Sequence, residues 1–203
     1  MAGFSRVQAA MYDPIMRGAE RGFLGRLRDD LLARARGTTL EIGAGTGANI
    51  TRYTTVDRLV LTEPEPAMAA RLRRRLPAAT VPVDVEEASG EALPFPDGSF
   101  DTVVSTLVLC SVGDPAAVLA EVRRVLRPGG SYLFLEHGGS DDERLARWQR
   151  RLDPIWKRLA GGCHLSRSAP RMLAEAGFTI SDLDVHEPKR TGPMKPFRVG
   201  TAA

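Results

Sequence analysis

Residues Thr38–Ile50 read TTLEIGAGTGANI. Leu40 and Ile42 lead into Gly43, Gly45 and Gly47, and the pattern predicts a buried strand that ends in a glycine loop and opens a helix. Glycine at these three positions removes three Cβ atoms. The backbone can then turn sharply and bring its N–H groups against a ligand that a side chain would push away. Gly43-x-Gly45-x-x-Ala48 satisfies the dinucleotide fingerprint, and Glu63 stands near the acidic position expected roughly 20 residues further on. The longer pattern Glu41-x-Gly43-x-Gly45-x-Gly47 fits a second class of nucleotide-like ligand equally well, so residues downstream must decide between the two.

Working outward, apolar strands alternate with helical patterns: TTLEIG, RLVLTE, TVPVDV, DTVVSTLVL and SYLFLEH, with helical segments near 66–76 and 114–127. This alternation predicts a doubly wound, mostly parallel sheet, and the unbroken apolar run DTVVSTLVL suits a strand covered on both faces. Right-handed crossovers place the loops at the strands' C-terminal ends together. Gly43–Gly47, Glu63, Ser89–Glu91, Thr106–Ser111 and Glu136–His137 are therefore expected on one crevice. Residues 1–36 form an N-terminal helical cap in this reading, with Leu24, Leu27, Leu31 and Leu32 at helical spacing and Tyr12 placed to close over the ligand. Residues 138–170 break the rhythm and read as a lid insertion. A helix around 168–176 and strands at FTISDLDVHE and PFRVGTA complete one domain, residues 1–203.

Composition narrows the partners. Lys+Arg 28 against Asp+Glu 25 leaves a net charge of +3, too small an excess to imply nucleic-acid binding. Cys110 and Cys163 are too few and too far apart in sequence to imply a disulfide framework or a metal cage, which fits a reducing cytoplasm. The N-terminus reads without a signal-type apolar core, and no stretch is apolar enough to span a bilayer. Contact of the arginine-rich cap with a membrane surface stays open, as does the choice between monomer and homodimer.

SGEALPFPDGSFDTVV and EVRRVLRPGG, in register behind the Glu41–Gly47 loop, resemble the class I S-adenosylmethionine (SAM) methyltransferases of the ubiquinone-biosynthesis type. The resemblance covers nearly the whole chain. It implies a Rossmann-like fold of seven strands with an antiparallel last strand, SAM as cofactor and S-adenosylhomocysteine as product. Gly43, Ala44, Gly45, Gly47 and Asn49 would face the methionine end, and Glu41 would favour its ammonium group. Glu63 would offer two oxygens to the ribose hydroxyls, with Pro64 and Met68 near the adenine. Ser89 stands where related enzymes often carry aspartate against the adenine amino group, beside Gly90 and Glu91, so the bond there is a weaker neutral one. Thr106 and Leu107 complete the cofactor set.

STLVLCSVGDP, FLEHG and LDPIWKRLAGGCHLSR resemble more closely the methyltransferase-like alkyl thiol S-methyltransferases, whose mammalian members are membrane-anchored. This likeness implies a small-molecule acceptor, a thiol foremost, with N-, O- or C-methylation of a lipid, quinone or secondary metabolite as the alternative and a non-catalytic SAM-binding protein as a third reading. Relatives tend to place a histidine where this chain has Phe197, so no role carries over there. His137 is open between substrate-site base and structural histidine, and His164 is a second candidate base. Cys110, Trp148, Trp156 and Cys163 are candidate acceptor contacts. Trp148, Ile155, Trp156 and Leu159 either line an apolar pocket or dock the lid helix. Asp141, Asp142 and Glu143 read as a helix start rather than a metal site, and transfer without a metal is expected.

Overall fold

The computed structural model describes residues 6–189 and 191–203; residues 1–5 of the expected cap lie outside them. Helices α1 (Arg6–Arg21) and α2 (Phe23–Leu32) precede strand β1 (Gly37–Ile42). There follow β2 (Val56–Thr62), α3 (Pro66–Arg75), β3 (Val83–Glu86), β4 (Phe100–Thr106), α4 (Pro115–Val125), β5 (Leu126–His137), α5 (Glu143–Leu159), α6 (Ala169–Glu175), β6 (Ile180–His186) and β7 (Phe197–Ala202). The sheet has seven strands in the order β3-β2-β1-β4-β5-β7-β6. Ladders β3–β2, β2–β1, β1–β4 and β4–β5 are parallel, and β7 runs antiparallel to both β5 and β6. The strand order reverses between β1 and β4, which is where a doubly wound sheet opens its ligand crevice.

Each face of the sheet carries its own core. Leu40, Ile42, Val103, Tyr132 and Phe134 pack with Val118 and Val122 of α4 and Leu173 of α6. Leu59, Leu61, Val104, Leu133 and Leu135 pack with Leu24, Leu27 and Leu31 of α2 and Leu72 of α3. Burial on both faces explains why the central strands read as continuous apolar runs. Among the described residues no helix is long and apolar enough to cross a membrane.

Three elements differ from the expected outline. The glycine loop opens only a 3-10 turn, Ile50–Arg52, rather than an α-helix; few residues separate the loop from β2, and β-branched Ile50, Thr51, Thr54 and Thr55 disfavour helix there. Strand β4 stops at Thr106 because Leu107 turns into the left-handed region at φ 61°. Strand β5 begins at Leu126, earlier than SYLFLEH, with Phe100 paired to Leu126 and a register shift before Thr102 pairs with Ser131.

Candidate functional site

Two of the three loop glycines face contacts that admit no side chain. Gly43, Gly45 and Gly47 all have positive φ (63°, 59° and 85°). A Cβ on Gly43 would meet Val108 at 2.9 Å, and one on Gly47 would meet Ile50 at 2.8 Å and Leu72 at 2.9 Å, whereas one on Gly45 would enter open space. The Gly45 N–H donates to Glu63 Oε2 at 2.8 Å, and the Glu65 N–H donates to Glu63 Oε1 at 3.0 Å. Glu63 is thus locked at the end of β2, and burial pushes its carboxyl above the usual range. Above the loop, Asp13 of α1 accepts from Thr46 at 2.6 Å and from Arg75 at 2.6 Å. The next residue, Tyr12, is half-buried, and burial raises its phenol to about 12 in the field of Arg28 and Cys110. The Asp13–Thr46 bond sets α1 against the loop.

Beneath the loop lies a buried polar network. Glu41 Oε1 accepts from Asn49 Nδ2 at 2.9 Å and Oε2 from the Tyr53 hydroxyl at 2.7 Å. Asn49 also reaches Thr106 Oγ1 at 3.1 Å. Arg28, only 3% exposed, donates to Thr106 Oγ1 at 2.6 Å, Asn49 Oδ1 at 3.0 Å and Glu20 Oε1 at 3.1 Å. Burial raises the Glu41 carboxyl against the opposing hydrogen bonds of Tyr53 and Asn49. Both Glu41 oxygens already hold protein donors, and Asn49 ties the loop to β4, so these two residues set the loop's position from below. Sequence reading missed Arg28 and Tyr53: one arginine among 25 in an amphipathic cap carries no signal of burial.

At the ends of β4 and β5 a second constellation forms. Glu136 Oε1 accepts the N–H groups of Val108 and Leu109, each at 2.9 Å, and Oε2 accepts that of Cys110 at 3.4 Å. A buried carboxylate in this role is an anchor for the turn after Leu107. His137 Nε2 lies 3.0 Å from Cys163 Sγ. The donor atoms of Cys110, His137 and Cys163 all lie within 4.8 Å of one another, and all three residues are buried. Burial lowers the His137 imidazole, but Cys163 and Glu136 outweigh it and hold the group above its ordinary value. Arg167 donates to the Leu109 carbonyl at 2.9 Å and the Val112 carbonyl at 2.7 Å, beside both sulfurs and Glu136.

A methyltransferase domain model matches residues 40–134. The chain is 35% identical over 193 residues to thiol S-methyltransferase TMT1B of Rattus norvegicus, covering 92% of this chain and 79% of that protein. It is 36% identical over 174 residues to thiol S-methyltransferase TMT1A of Homo sapiens, covering 83% and 71%. The chain belongs to this family of SAM-dependent methyltransferases. Solved structures agree on the fold: a SAM-dependent methyltransferase from Thermotoga maritima superposes with a TM-score of 0.62 at 22% identity over 96% of this chain and 98% of that one. Geranyl diphosphate methyltransferase in complex with SAM gives 0.66 at 17% identity over 86% and 83%.

The methyltransferase's cradle fits SAM on its own geometry. The open space beyond Gly45 is where an added Cβ would intrude, and the Glu63 carboxylate borders it with lone pairs left for hydroxyl donors. Ala44 is buried with the α2 core, Met68 is buried on α3, and Pro64 is exposed. Ser89 Oγ accepts the Glu91 N–H at 3.2 Å, and Gly90 lies so close to Ile42 that a Cβ would stand 2.6 Å from it. Glu91 Oε1 accepts the Asp114 N–H at 3.0 Å, ahead of α4.

The 138–170 segment is sorted by helix phase. Gln149, fully buried, fixes α5 through Ser140 N–H at 2.8 Å and the carbonyls of Pro193 and Lys195, each at 2.9 Å. Trp156 is half-buried, and its indole nitrogen is enclosed without a hydrogen-bond partner among the described residues. Trp148, Ile155 and Leu159 face outward at 57%, 61% and 77% exposure. His164 is held: its Nδ1 lies 2.7 Å from Asp153 Oδ2, and its N–H donates to the Cys110 carbonyl at 2.7 Å. Burial pushes the Asp153 carboxyl up, but His164 and the Ser166 and Leu165 N–H groups prevail and lower it. Asp142 caps α5 by accepting from Leu145 N–H, while Asp141 pairs with Arg198 at 2.9 Å, which accounts for the acidic run as a helix start.

Proposed function

We propose that this methyltransferase transfers the methyl group of SAM to the sulfur of a small apolar thiol. The observation that carries the reading is the docking of Arg167 against the Leu109–Val112 turn, which sets a permanent positive charge on the turn after β4 that carries Cys110. A free thiol has a pKa of about 8.5, so a fixed cation nearby raises its reactive thiolate fraction at neutral pH. Bound SAM supplies an electrophilic methyl on a good leaving group, so the chain's task is alignment and exclusion of water. Glu63 and the glycine loop hold the donor's adenosine side, Tyr12 and Asp13 bring the cap over it, and Glu136 fixes the turn against which the acceptor rests. Residues 138–170 act as the lid over the acceptor, pinned by His164–Asp153 and Gln149. The printed names of TMT1A and TMT1B support a thiol acceptor, and the likeness to TMT1B spans 92% of the chain, well past the matched domain.

A second reading has its own support. The chain is 31% identical over 146 residues to phosphatidylethanolamine N-methyltransferase of Cereibacter sphaeroides, covering 71% of each protein, which favours an amine on a lipid headgroup. Peripheral membrane contact would suit either acceptor: the outward Trp148–Ile155–Leu159 stripe is flanked by Arg144, Arg147, Arg151 and Arg158, an arrangement that suits an anionic bilayer surface. We assign the protein to the cytoplasm on its two free cysteines. Acceptor choice is tested by offering SAM with an alkyl thiol, a phenol, an amine, a quinone or phosphatidylethanolamine vesicles. S-methyl product is expected, and methylation confined to amine or lipid would replace the thiol reading with the second one.

A further inference from the structure

We propose that Cys110, His137 and Cys163 form a binding site for a soft divalent cation of the zinc class, with the fourth coordination position taken by the acceptor thiolate; the latter part rests on the thiol reading above. Three separate elements deliver the donors: the turn after β4, the last residue of β5 and the segment after α5. The donor atoms lie within 4.8 Å of one another, and the three residues are only 3%, 4% and 8% exposed. Thiolate and imidazole are the ligands that zinc prefers. Zinc–sulfur bonds of about 2.3 Å and zinc–nitrogen bonds of about 2.0–2.1 Å in tetrahedral geometry place neighbouring N and S donors about 3.6 Å apart. His137 Nε2 and Cys163 Sγ, at 3.0 Å, need part by only about half an ångström on that scale.

The site is held ready by bonds that do not involve the donors' side chains. Cys110 N–H is bound by Glu136, and the Cys110 carbonyl accepts the His164 N–H at 2.7 Å. The Cys163 N–H donates to Ala160 at 3.1 Å, and His137 is paired with Phe197 in the β5–β7 ladder and packs on its ring. Among the described residues the cluster supplies three ligands and no fourth. A zinc-class ion completes four, so the remaining position falls to water or to an exogenous ligand, the open arrangement of zinc sites that act on substrates. Before an acceptor joins, two thiolates, a neutral imidazole and a divalent cation leave no net charge in the buried site, which makes its burial feasible. A thiol that joins the ion loses its proton on binding and presents sulfur to the methyl group. The S–H bond is broken, the proton passes to solvent, and the carbon–sulfur bond of SAM breaks as the new one forms. His137 and Cys163 stand 26 positions apart in the chain, so the cluster is assembled by tertiary packing and leaves no short spacing motif to read.

Purified protein stripped with a chelator and titrated with Co(II) or Cd(II) tests the site without reference to turnover. One equivalent per chain with thiolate-to-metal charge-transfer absorption is expected, and Zn(II) should displace it. Cys163→Ser and His137→Gln should each weaken metal binding at least 10-fold while circular dichroism and SAM binding stay intact, and His164→Gln should bind metal as the wild type does. Adding an alkyl thiol to the Co(II) form should shift the band. Failure to take up a stoichiometric metal, or unchanged uptake in Cys163→Ser, overturns the site, and full thiol methylation by metal-free protein overturns the ion's role in holding the acceptor. Metal uptake without thiol methylation leaves the site standing and refutes only the acceptor reading.

Discussion

The three glycines of the loop make the same backbone demand but face different surroundings, and alanine substitution separates those roles. Gly45→Ala places its methyl in open space at φ 59°. The left-handed backbone alone costs about 1–2 kcal/mol, which in a chain of this size lowers Tm by about 2–8 °C. Gly47→Ala bears the same backbone cost at φ 85° and must also displace Ile50 and Leu72, which stand at 2.8 and 2.9 Å; overpacking adds about 1–3 kcal/mol. Gly47→Ala should therefore be the less stable of the two in urea unfolding. For SAM affinity the order should invert relative to stability. Gly45→Ala intrudes on ligand space in an otherwise intact fold, and calorimetry should show binding at least about tenfold weaker, a loss of about 1.4 kcal/mol. Wild-type SAM affinity in Gly45→Ala would refute the placement of the cofactor against this loop, because no protein atom stands in the methyl's way to mask the effect.

Other outcomes follow from single contacts. Leu107→Gly should be more stable than Leu107→Ala by about 1–2 kcal/mol in chemical denaturation, since both lose the side chain but only alanine keeps the left-handed strain at φ 61°. Arg28→Met should loosen the loop, leaving Asn49 Oδ1 without its donor and Thr106 Oγ1 with Asn49 Nδ2 alone, and lower stability by about 3 kcal/mol, with a matching rise in the Kd for SAM; an unchanged Kd would limit Arg28 to the cap. Asp101 accepts from Arg127 at 2.5 Å and Thr38 N–H at 2.8 Å, and Arg127 holds its carboxyl below the usual value. Its stabilising effect is then complete above the ordinary carboxyl value and disappears as pH falls through the lowered one. Asp101→Asn should flatten the acid limb of the stability profile, and an unaltered slope between pH 4 and 2 would contradict this.

Much of the fold was legible because its cause is local and periodic. Alternation of apolar strands with helical patterns fixed a parallel sheet, and the glycine spacing fixed where its ligand crevice opens. Elements whose limits depend on tertiary bonds were read less well. The end of β4 is set by Leu107 and by Glu136 pulling three N–H groups into a turn, while the apolar run itself continues to Leu109. The helix expected after the glycine loop was a matter of chain length: the link to β2 allows only a 3-10 turn. In the site, Glu63 and the glycines were readable from spacing, whereas Arg28 and the Cys110–His137–Cys163 cluster arise from packing between elements distant in sequence. Trp148 and Trp156 looked equivalent along the chain, yet helical phase turns one to solvent and leaves the other half-buried with its indole nitrogen enclosed.

The most direct test is a methyl-transfer assay with labelled SAM and matched alkyl thiol, phenol, amine and quinone acceptors, read by mass spectrometry together with S-adenosylhomocysteine release. The predicted result is an S-methyl thioether formed one-for-one with S-adenosylhomocysteine and a sharp loss of thiol turnover in Arg167→Met. Methylation of oxygen, nitrogen or carbon with no thioether would contradict the account.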